Sequence, residues 1–488
     1  MKTPKDDIFQ LIQAMTAAEK RYFKIHFSSE QSLVTELFNY LNSLKSYDEE
    51  EVKKYFKATT LSKNLKVYKI MLMELLLKSL SSFRYKKSIN SIIRQNLEEV
   101  EILTEKGLYT LAFKKLKKAK ELCIQHEKLE HLVRIYHLEY QFKAFYEIKI
   151  RISSLQALDQ SIAYSRSMME IFKLKKINYE LSTTAGDIFT LTERLEKIAD
   201  YEKQLLNTLK EDHPDSDKIS FHRLYYVNAA LGHLYHYTED TQKEHAHKKK
   251  IIDFFEDNPH FIESEPRKYW SSYFHFTDCC RRNNFLEAFQ ISLNTLKKFT
   301  NKHPLLRCKM ILVYVVEMAY QYKQQNFTFI VGELEPTVLK EITTHGAHQQ
   351  RSVIYSYIWL AITHLALGSH TQVQFYLRRL FKNKRMGEAF NYFYETVDMI
   401  SHYESGDIDI LKNLLTSKKR KIKRDANYGT PFFVKLLDFF TDLVEQKNDK
   451  AKSVKLLEAS ADNDDGLFRL MRYFLLEDWM KTLLEKKT

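Results

Sequence analysis

The sequence predicts an all-α protein in which antiparallel helical hairpins follow an N-terminal helical cap. Three observations carry that prediction. Glycine and proline are scarce, 10 and 7 among 488 residues, well under the roughly 12% of average usage. Three glycines share one setting: Gly107 in K-G-L-Y-T-L-A, Gly368 in L-G-S-H-T-Q-V and Gly406 in S-G-D-I-D-I-L. Between such corners the apolar residues recur at helical spacing. Sandwiches, barrels and βαβ folds need a turn-former every few residues, so this composition excludes them.

Residues 1–90 read as a separate helical cap. Ile8, Leu11, Ile12 and Met15 form a helical stripe. Thr16 then reads as an N-cap with Glu19 three residues on, a capping box that opens a second helix through Phe27. Leu33, Leu37, Phe38, Leu41 and Leu44 make a third stripe. A fourth helix begins at Tyr47 and Asp48, where Asp48, Glu49, Glu50 and Glu51 complement the positive helix end, and runs to Phe56. Leu65, Tyr68, Leu72, Leu75, Leu76 and Leu80 build a longer fifth helix.

Residues 91–488 read as a run of helical pairs. Residues 96–122 place Leu97, Val100 and Leu103 on a first helix, then Gly107-Leu108-Tyr109, then Ala112, Leu116 and Ala119 on a second. This arrangement resembles a tetratricopeptide (TPR) repeat, in which small residues sit where two helices cross. Residues 270–296 repeat it through Asn283-Asn284-Phe285 and Ala288. Residues 357–380 and 395–415 repeat the turn but carry Val373 and Leu411 in place of alanine. Leu231-Gly232 with Tyr235 matches the first-helix part, and Pro259 closes that unit. Residues 127–220 read as long helices with no glycine or proline signature apart from a loop at His213, Pro214, Asp215 and Ser216. The resemblance implies a right-handed TPR-like α-solenoid. The opening, Leu11 with E-K-R-Y-F-K at 19–24, also resembles uncharacterised bacterial helical-repeat proteins of the Bacteroidota, which carry no known activity.

Lys and Arg number 76 against 63 Asp and Glu, a net charge of +13, small beside a charge content that i,i+4 pairs on solvated helix faces account for. Cys123, Cys279, Cys280 and Cys308 form no CxxC pair, which suits a reducing, cytoplasmic compartment. No apolar segment precedes a small-residue cleavage site at the N-terminus. Residues 352–377 lack any Lys, Arg, Asp or Glu, but their apolar part covers only 353–368 and holds Ser356, Thr363 and His364. A bilayer span needs about 20 apolar residues, so a buried helix is the expectation there. The run Ile70 to Leu77 is shorter still and carries Glu74. A soluble protein without membrane contact follows.

Glycine spacing also restricts chemistry. The two closest glycines are Gly332 and Gly346, so neither a dinucleotide fingerprint nor a Walker loop exists. There is no G-x-S-x-G elbow and no H-E-x-x-H. The expectation is a chain with no catalytic residues and no cofactor. His233 and His236, with His245 and His247 on the next helix, invite a metal reading, but no acidic or thiol ligand stands at a recognised spacing. Asp462, Asn463, Asp464, Asp465 and Gly466 suggest a calcium loop, yet the glycine stands fifth and Tyr473 occupies the glutamate position. Cys279 and Cys280 beside Arg281 and Arg282 are either a thiol pair of lowered pKa or packed helix residues. Neither a metal nor a reactive thiol is expected.

Two partner surfaces stand out. Carrying the TPR pattern over position by position puts Arg94, Glu101, Tyr226, His233, His236, Trp270, Tyr273, Tyr355, Thr396 and Tyr403 on or near the concave face. That aromatic and mildly polar set suits a peptide or partner helix, although any one aromatic also fits a place between repeats. Corresponding inner positions hold Leu97, Ala229, Tyr273 and Ile358, so a carboxylate clamp is not expected. The second surface is basic: Lys418, Lys419, Arg420, Lys421, Lys423 and Arg424, with Arg378, Arg379, Lys382, Lys384 and Arg385 before it and Lys248, Lys249 and Lys250 further off. Nucleic acid rewards such patches through counterion release. A helix C-terminus favours the same cations. The expected function is a protein-interaction scaffold, with a nucleic-acid-associated regulator using the cap or the basic patches as the alternative. In the cap, Lys53, Lys54 and Lys57 stand behind four acidic residues, and Lys63, Asn64, Lys66 and Lys69 lie on the fifth helix.

Overall fold

The computed structural model describes residues 7–27, 32–84, 88–146, 148–149, 152–183, 191–210, 220–345, 350–381, 388–425, 428–445 and 479. The expected loop at 213–216, the acidic run at 462–466, Tyr473, and Lys382, Lys384 and Arg385 lie outside these residues. Among the described residues every regular element is helical. The chain forms two compact units, Met1–Glu170 and Ile171–Thr488. The first opens with α1 (Asp7–Ala14), α2 (Ala17–Phe27), α3 (Ser32–Ser43), α4 (Glu49–Tyr55), α5 (Thr60–Lys63) and α6 (Leu65–Arg84). It continues with α7 (Ile89–Glu105), α8 (Tyr109–Gln125) and α9 (Leu129–Phe145). The division between the units falls inside α10 (Ser154–Thr183). The second unit holds α11 (Leu191–Lys210), α12 (Phe221–Tyr237), α13 (Thr241–Asp257), α14 (Pro259–Ser264), α15 (Pro266–Arg282) and α16 (Leu286–Lys302). After these come α17 (Met310–Lys323), α18 (Phe327–Phe329), a π-helical turn (Ile330–Leu334), α19 (Glu335–His345) and α20 (Gln350–Ala366). The last are α21 (His370–Phe381), α22 (Glu388–Glu404), α23 (Ile408–Arg424) and α24 (Pro431–Val444).

The first elements follow their local signals. Thr16 N donates to Glu19 Oε2 at 2.8 Å and Glu19 N donates back to Thr16 Oγ1 at 3.2 Å, closing the capping box ahead of α2. Asp48 caps α4 by accepting from Glu50 N at 2.8 Å. Ile12, Phe23, Leu37, Phe38, Leu41, Val52, Leu72 and Leu76 bury their side chains in one core. Only the short α5, which inserts Leu61 into that core, was absent from the stripe pattern.

From α7 onward one corner recurs. A helix ends, three residues turn, and an antiparallel partner begins. The middle residue has a left-handed backbone at Gly107 (φ 72°), Gly368 (φ 68°) and Gly406 (φ 78°). The same is true of Glu127 (φ 46°), Glu239 (φ 57°), Asn284 (φ 60°) and Gln325 (φ 59°). In all seven the following amide donates to the carbonyl five residues back. The bonds Leu108 N to Leu103 O, Lys128 N to Cys123 O and Asp240 N to Tyr235 O represent the set, at 2.9, 2.9 and 3.0 Å. This is the Schellman closure, which satisfies carbonyls that the helix end leaves open. Ten helices joined or bounded by such corners have the same length, 17 residues: α7, α8, α9, α12, α13, α15, α16, α20, α22 and α23. The stretch after residue 127 that lacked a signature therefore begins with a full corner at Glu127.

Within each unit a recurring lysine ties the second helix of one pair to the first helix of the next. Lys120 on α8 donates to both Glu139 oxygens on α9, at 2.9 and 2.8 Å, and lies 3.9 Å from the Tyr136 ring centre. In the second unit Lys297 on α16 donates to Glu317 on α17 at 2.6 Å and lies 5.8 Å from the Tyr314 ring. Each tyrosine precedes its glutamate by three residues, one helical turn, so ring and carboxylate face the same ammonium.

The charge-poor stretch forms the buried α20. Ser356 and Thr363 donate to the Ser352 and Trp359 carbonyls at 2.9 and 2.7 Å, and His364 Nε2 meets Glu335 Oε2 at 2.9 Å beside the π turn. The Ser356 and Thr363 hydroxyls and His364 Nε2 are thus paired inside the chain. Among the described residues no helix is long and apolar enough to cross a membrane.

Candidate functional site

Where α12, α13 and α15 meet, the second unit buries a cluster of charges. Gly232 on α12 makes the approach possible: a Cβ there would stand 3.1 and 3.2 Å from the Lys248 stem of α13. The lysine crosses that glycine to pair with Glu244, one helical turn back on α13, and both side chains are more than nine-tenths buried. Glu244 also accepts from Arg282 Nη2 at 2.6 Å and from Asn283 Nδ2 at 3.2 Å. Arg282 Nη1 donates to His236 Nδ1 at 2.8 Å, and its Nε donates to Asp278 Oδ2 at 3.0 Å. Arg281 reaches the other Asp278 oxygen at 2.8 Å.

The electrostatics follow from these contacts. Burial alone would raise the Glu244 carboxyl, but the nearby His236 imidazole and the Lys248 and Arg282 charges hold it well below the usual range. Asp278 is likewise held down against burial by Arg281 and Arg282.

A small pocket opens beside the cluster. Tyr225, Ala229 and Ile251 give it apolar walls, and His233, His275, Ser272 and Lys248 give it polar ones. It has room for a water-sized guest, about 20 Å³ for the guest's centre. The two imidazoles meet edge to face with ring centres 5.4 Å apart. Burial, then His275 and Lys248, drive the His233 pKa well below its ordinary value. Desolvation and Lys248 lower His275 to about 4, although part of its ring still meets solvent. Both rings are neutral at pH 7.

The concave-face residues expected from the sequence divide by burial. Trp270, Tyr273 and Thr396 face inward and present no open surface. The Trp270 Nε1 donates to Thr300 at 2.8 Å and its ring stacks on Phe274; Tyr273 OH donates to Glu256; Thr396 Oγ1 donates to the Tyr392 carbonyl. These three hold helices together, because an aromatic or hydroxyl between packed helices finds its partner there. Arg94, Glu101 and His236 are exposed, while Tyr226, His233, Tyr355 and Tyr403 are half-buried. Arg134 on α9 pairs with Glu101. Tyr403 meets Trp479, whose indole donates to Glu404 at 2.9 Å.

The histidines considered as ligands go to separate partners. His236 accepts from Arg282, His245 lies against Phe276 and Phe285, and His247 Nδ1 donates to Asn228 Oδ1 at 2.7 Å. Among the described residues no three His, Cys, Asp or Glu are placed to share an ion. Cys279 and Cys280 are fully buried, and burial raises their thiols to about 11 and about 12. The neighbouring arginines spend their charge on Asp278 and Glu244, so the pair is packed rather than activated.

The basic run on α23 is half consumed. Lys418 pairs with Glu395, Lys419 with Asp438 at 3.0 Å, and Lys421 lies 3.8 Å from the Tyr428 ring. Arg420, Lys423 and Arg424 are exposed on one helix face. In the cap, Lys69 is buried against Glu49 and Tyr47, which removes it from any outward basic face. Searches of protein-family models, of curated proteins and of solved structures each find no match to this chain.

Proposed function

We propose that the chain is a non-enzymatic, TPR-like interaction scaffold of the cytoplasm, stacking its hairpins in the right-handed sense. It binds a peptide or partner protein along the first helices of its pairs. The observation that carries this reading is the corner repeated seven times, five of them between helices of 17 residues each. Such tandem units serve to build long binding faces. Tyr226, His233, His236, Tyr355 and Tyr403 supply the solvent-reaching contacts of that face. The test is affinity capture from native lysate with and without nuclease. A distinct protein partner that survives nuclease and weakens when Tyr226 and His236 are replaced by Ala supports the scaffold. Loss of every partner on nuclease treatment overturns it, and favours a second reading in which exposed Arg420, Lys423 and Arg424 hold nucleic acid.

A further inference from the structure

Within the first unit, one face of α10 carries an apolar ridge that points to solvent. The other face holds the helix to α9: Ala157 is buried, Ser161 Oγ donates to the Val133 carbonyl at 3.1 Å, and Tyr164 stacks on Tyr136. Leu155, Ile162 and Met169 each lie about 120–160° around the helix from Ala157. They are 74%, 50% and 60% exposed, and Asp159 and Arg166 stand exposed between them. These five residues follow one another in alternating steps of four and three, which makes a single ridge along the helix. Single exposed apolar residues are ordinary on a protein surface. Three of them at seven-residue intervals, interleaved with charges, are the pattern of a helix–helix seam.

We propose that this ridge is a homodimer interface, on which α10 of a second copy of the chain docks antiparallel about a two-fold axis at Ile162. A two-fold contact needs a patch that complements itself, and the ridge does so about that residue. Leu155 lies seven positions before Ile162 and Met169 seven after, so the two meet across the axis while Ile162 meets its own copy. Asp159 lies three positions before and Arg166 four after. With a rise of about 1.5 Å per residue they come level to within about 1.5 Å, and the symmetry makes that ion pair twice. A parallel pairing would instead set Asp159 against Asp159 and Arg166 against Arg166, which like charges disfavour. Five side chains from each copy make a small interface, so the dimer is weak. None of the five belongs to the peptide-binding face proposed above, and the dimer stands independently of it.

Sedimentation velocity of the full chain tests this over about 1 to 100 µM. The mass is expected to move from that of the 58.2 kDa monomer toward twice that value, with a dissociation constant on the order of 10 µM. Ile162→Glu sets two carboxylates together at the axis and is expected to raise that constant about a hundredfold. Its helicity by circular dichroism should not change, because the side chain is exposed. Asp159→Arg alone and Arg166→Asp alone are each expected to weaken the dimer about tenfold. The two changes together restore the ion pairs and should restore the dimer, which neither a parallel pairing nor unspecific adhesion would do. A monomeric mass throughout the concentration range overturns the proposal and leaves the ridge to a different partner. A dimer that Ile162→Glu leaves intact overturns it too, as do charge reversals that the double variant does not rescue.

Discussion

Two corners bound the same helix, α8, and they are made differently. Gly107 turns the chain into α8 and Glu127 turns it out. Both have left-handed backbones, and both are closed by an amide bonded five residues back at 2.9 Å. Glycine adopts that conformation freely, whereas an L side chain strains there by about 1 kcal/mol. The corner is therefore set by packing and by the Schellman bond, and glycine only makes it cheaper. In the second unit the corner at Asn284 uses its side chains. Asn283 donates to Glu244 across the α13–α15 contact, and Asn284 accepts from Lys323 on α17 at 2.9 Å. A corner without glycine can act as a tie between pairs.

The largest effect should come from cutting the charge cluster that the Asn283 corner joins. Glu244→Ala leaves Lys248 and Arg282 buried without their shared carboxylate, and should destabilise by about 3–5 kcal/mol in chemical denaturation. A loss near that of an exposed surface variant would show that the corner does not depend on these ties.

Acid should attack the same region before it affects the glycine corners. His233, His247 and His275 have folded pKa values below the ordinary 6.5, with His247 and His275 at about 4. The unfolded chain binds their protons first, so stability falls as pH drops from about 6.5 toward 4. Glu244 and Asp278 are depressed from 4.5 and 3.8, and their contribution is lost below those values. Hydrogen exchange should show α12, α13 and α15 opening over that window while α7 and α8 stay protected. Uniform opening would contradict the assignment.

Gly232→Ala gives a smaller, background-dependent effect. With Lys248 present the new Cβ meets its stem at 3.1 Å and should cost about 1 kcal/mol. In a Lys248→Ala background the same change should stabilise by about 1 kcal/mol through helix propensity. A double-mutant cycle with no coupling would remove the steric account. The smallest effects separate the two corners of α8 directly. Gly107→Ala should lose about 1 kcal/mol, and Glu127→Gly should be neutral or stabilising by less than about 1 kcal/mol. Equal and opposite behaviour is not expected, because glycine also loses backbone entropy on folding.

The sequence by itself determined that this chain is helical, where the cap helices begin, and where the glycine corners fall. Those features depend on local chemistry: capping pairs, apolar periodicity and a residue free to take positive φ. Glu127, Glu239 and Gln325 were not legible as corners, because a strained charged or amide residue at a turn carries no compositional mark. A 20-residue step from Gly107 to Glu127 was the available signal. Only the tertiary structure decided that Trp270, Tyr273 and Thr396 are interior, that Lys418, Lys419 and Lys421 of α23 already have partners, and that Lys248 reaches a pocket over Gly232. Burial and pairing depend on which helices meet, and residues dozens of positions apart settle that through packing that no local pattern records.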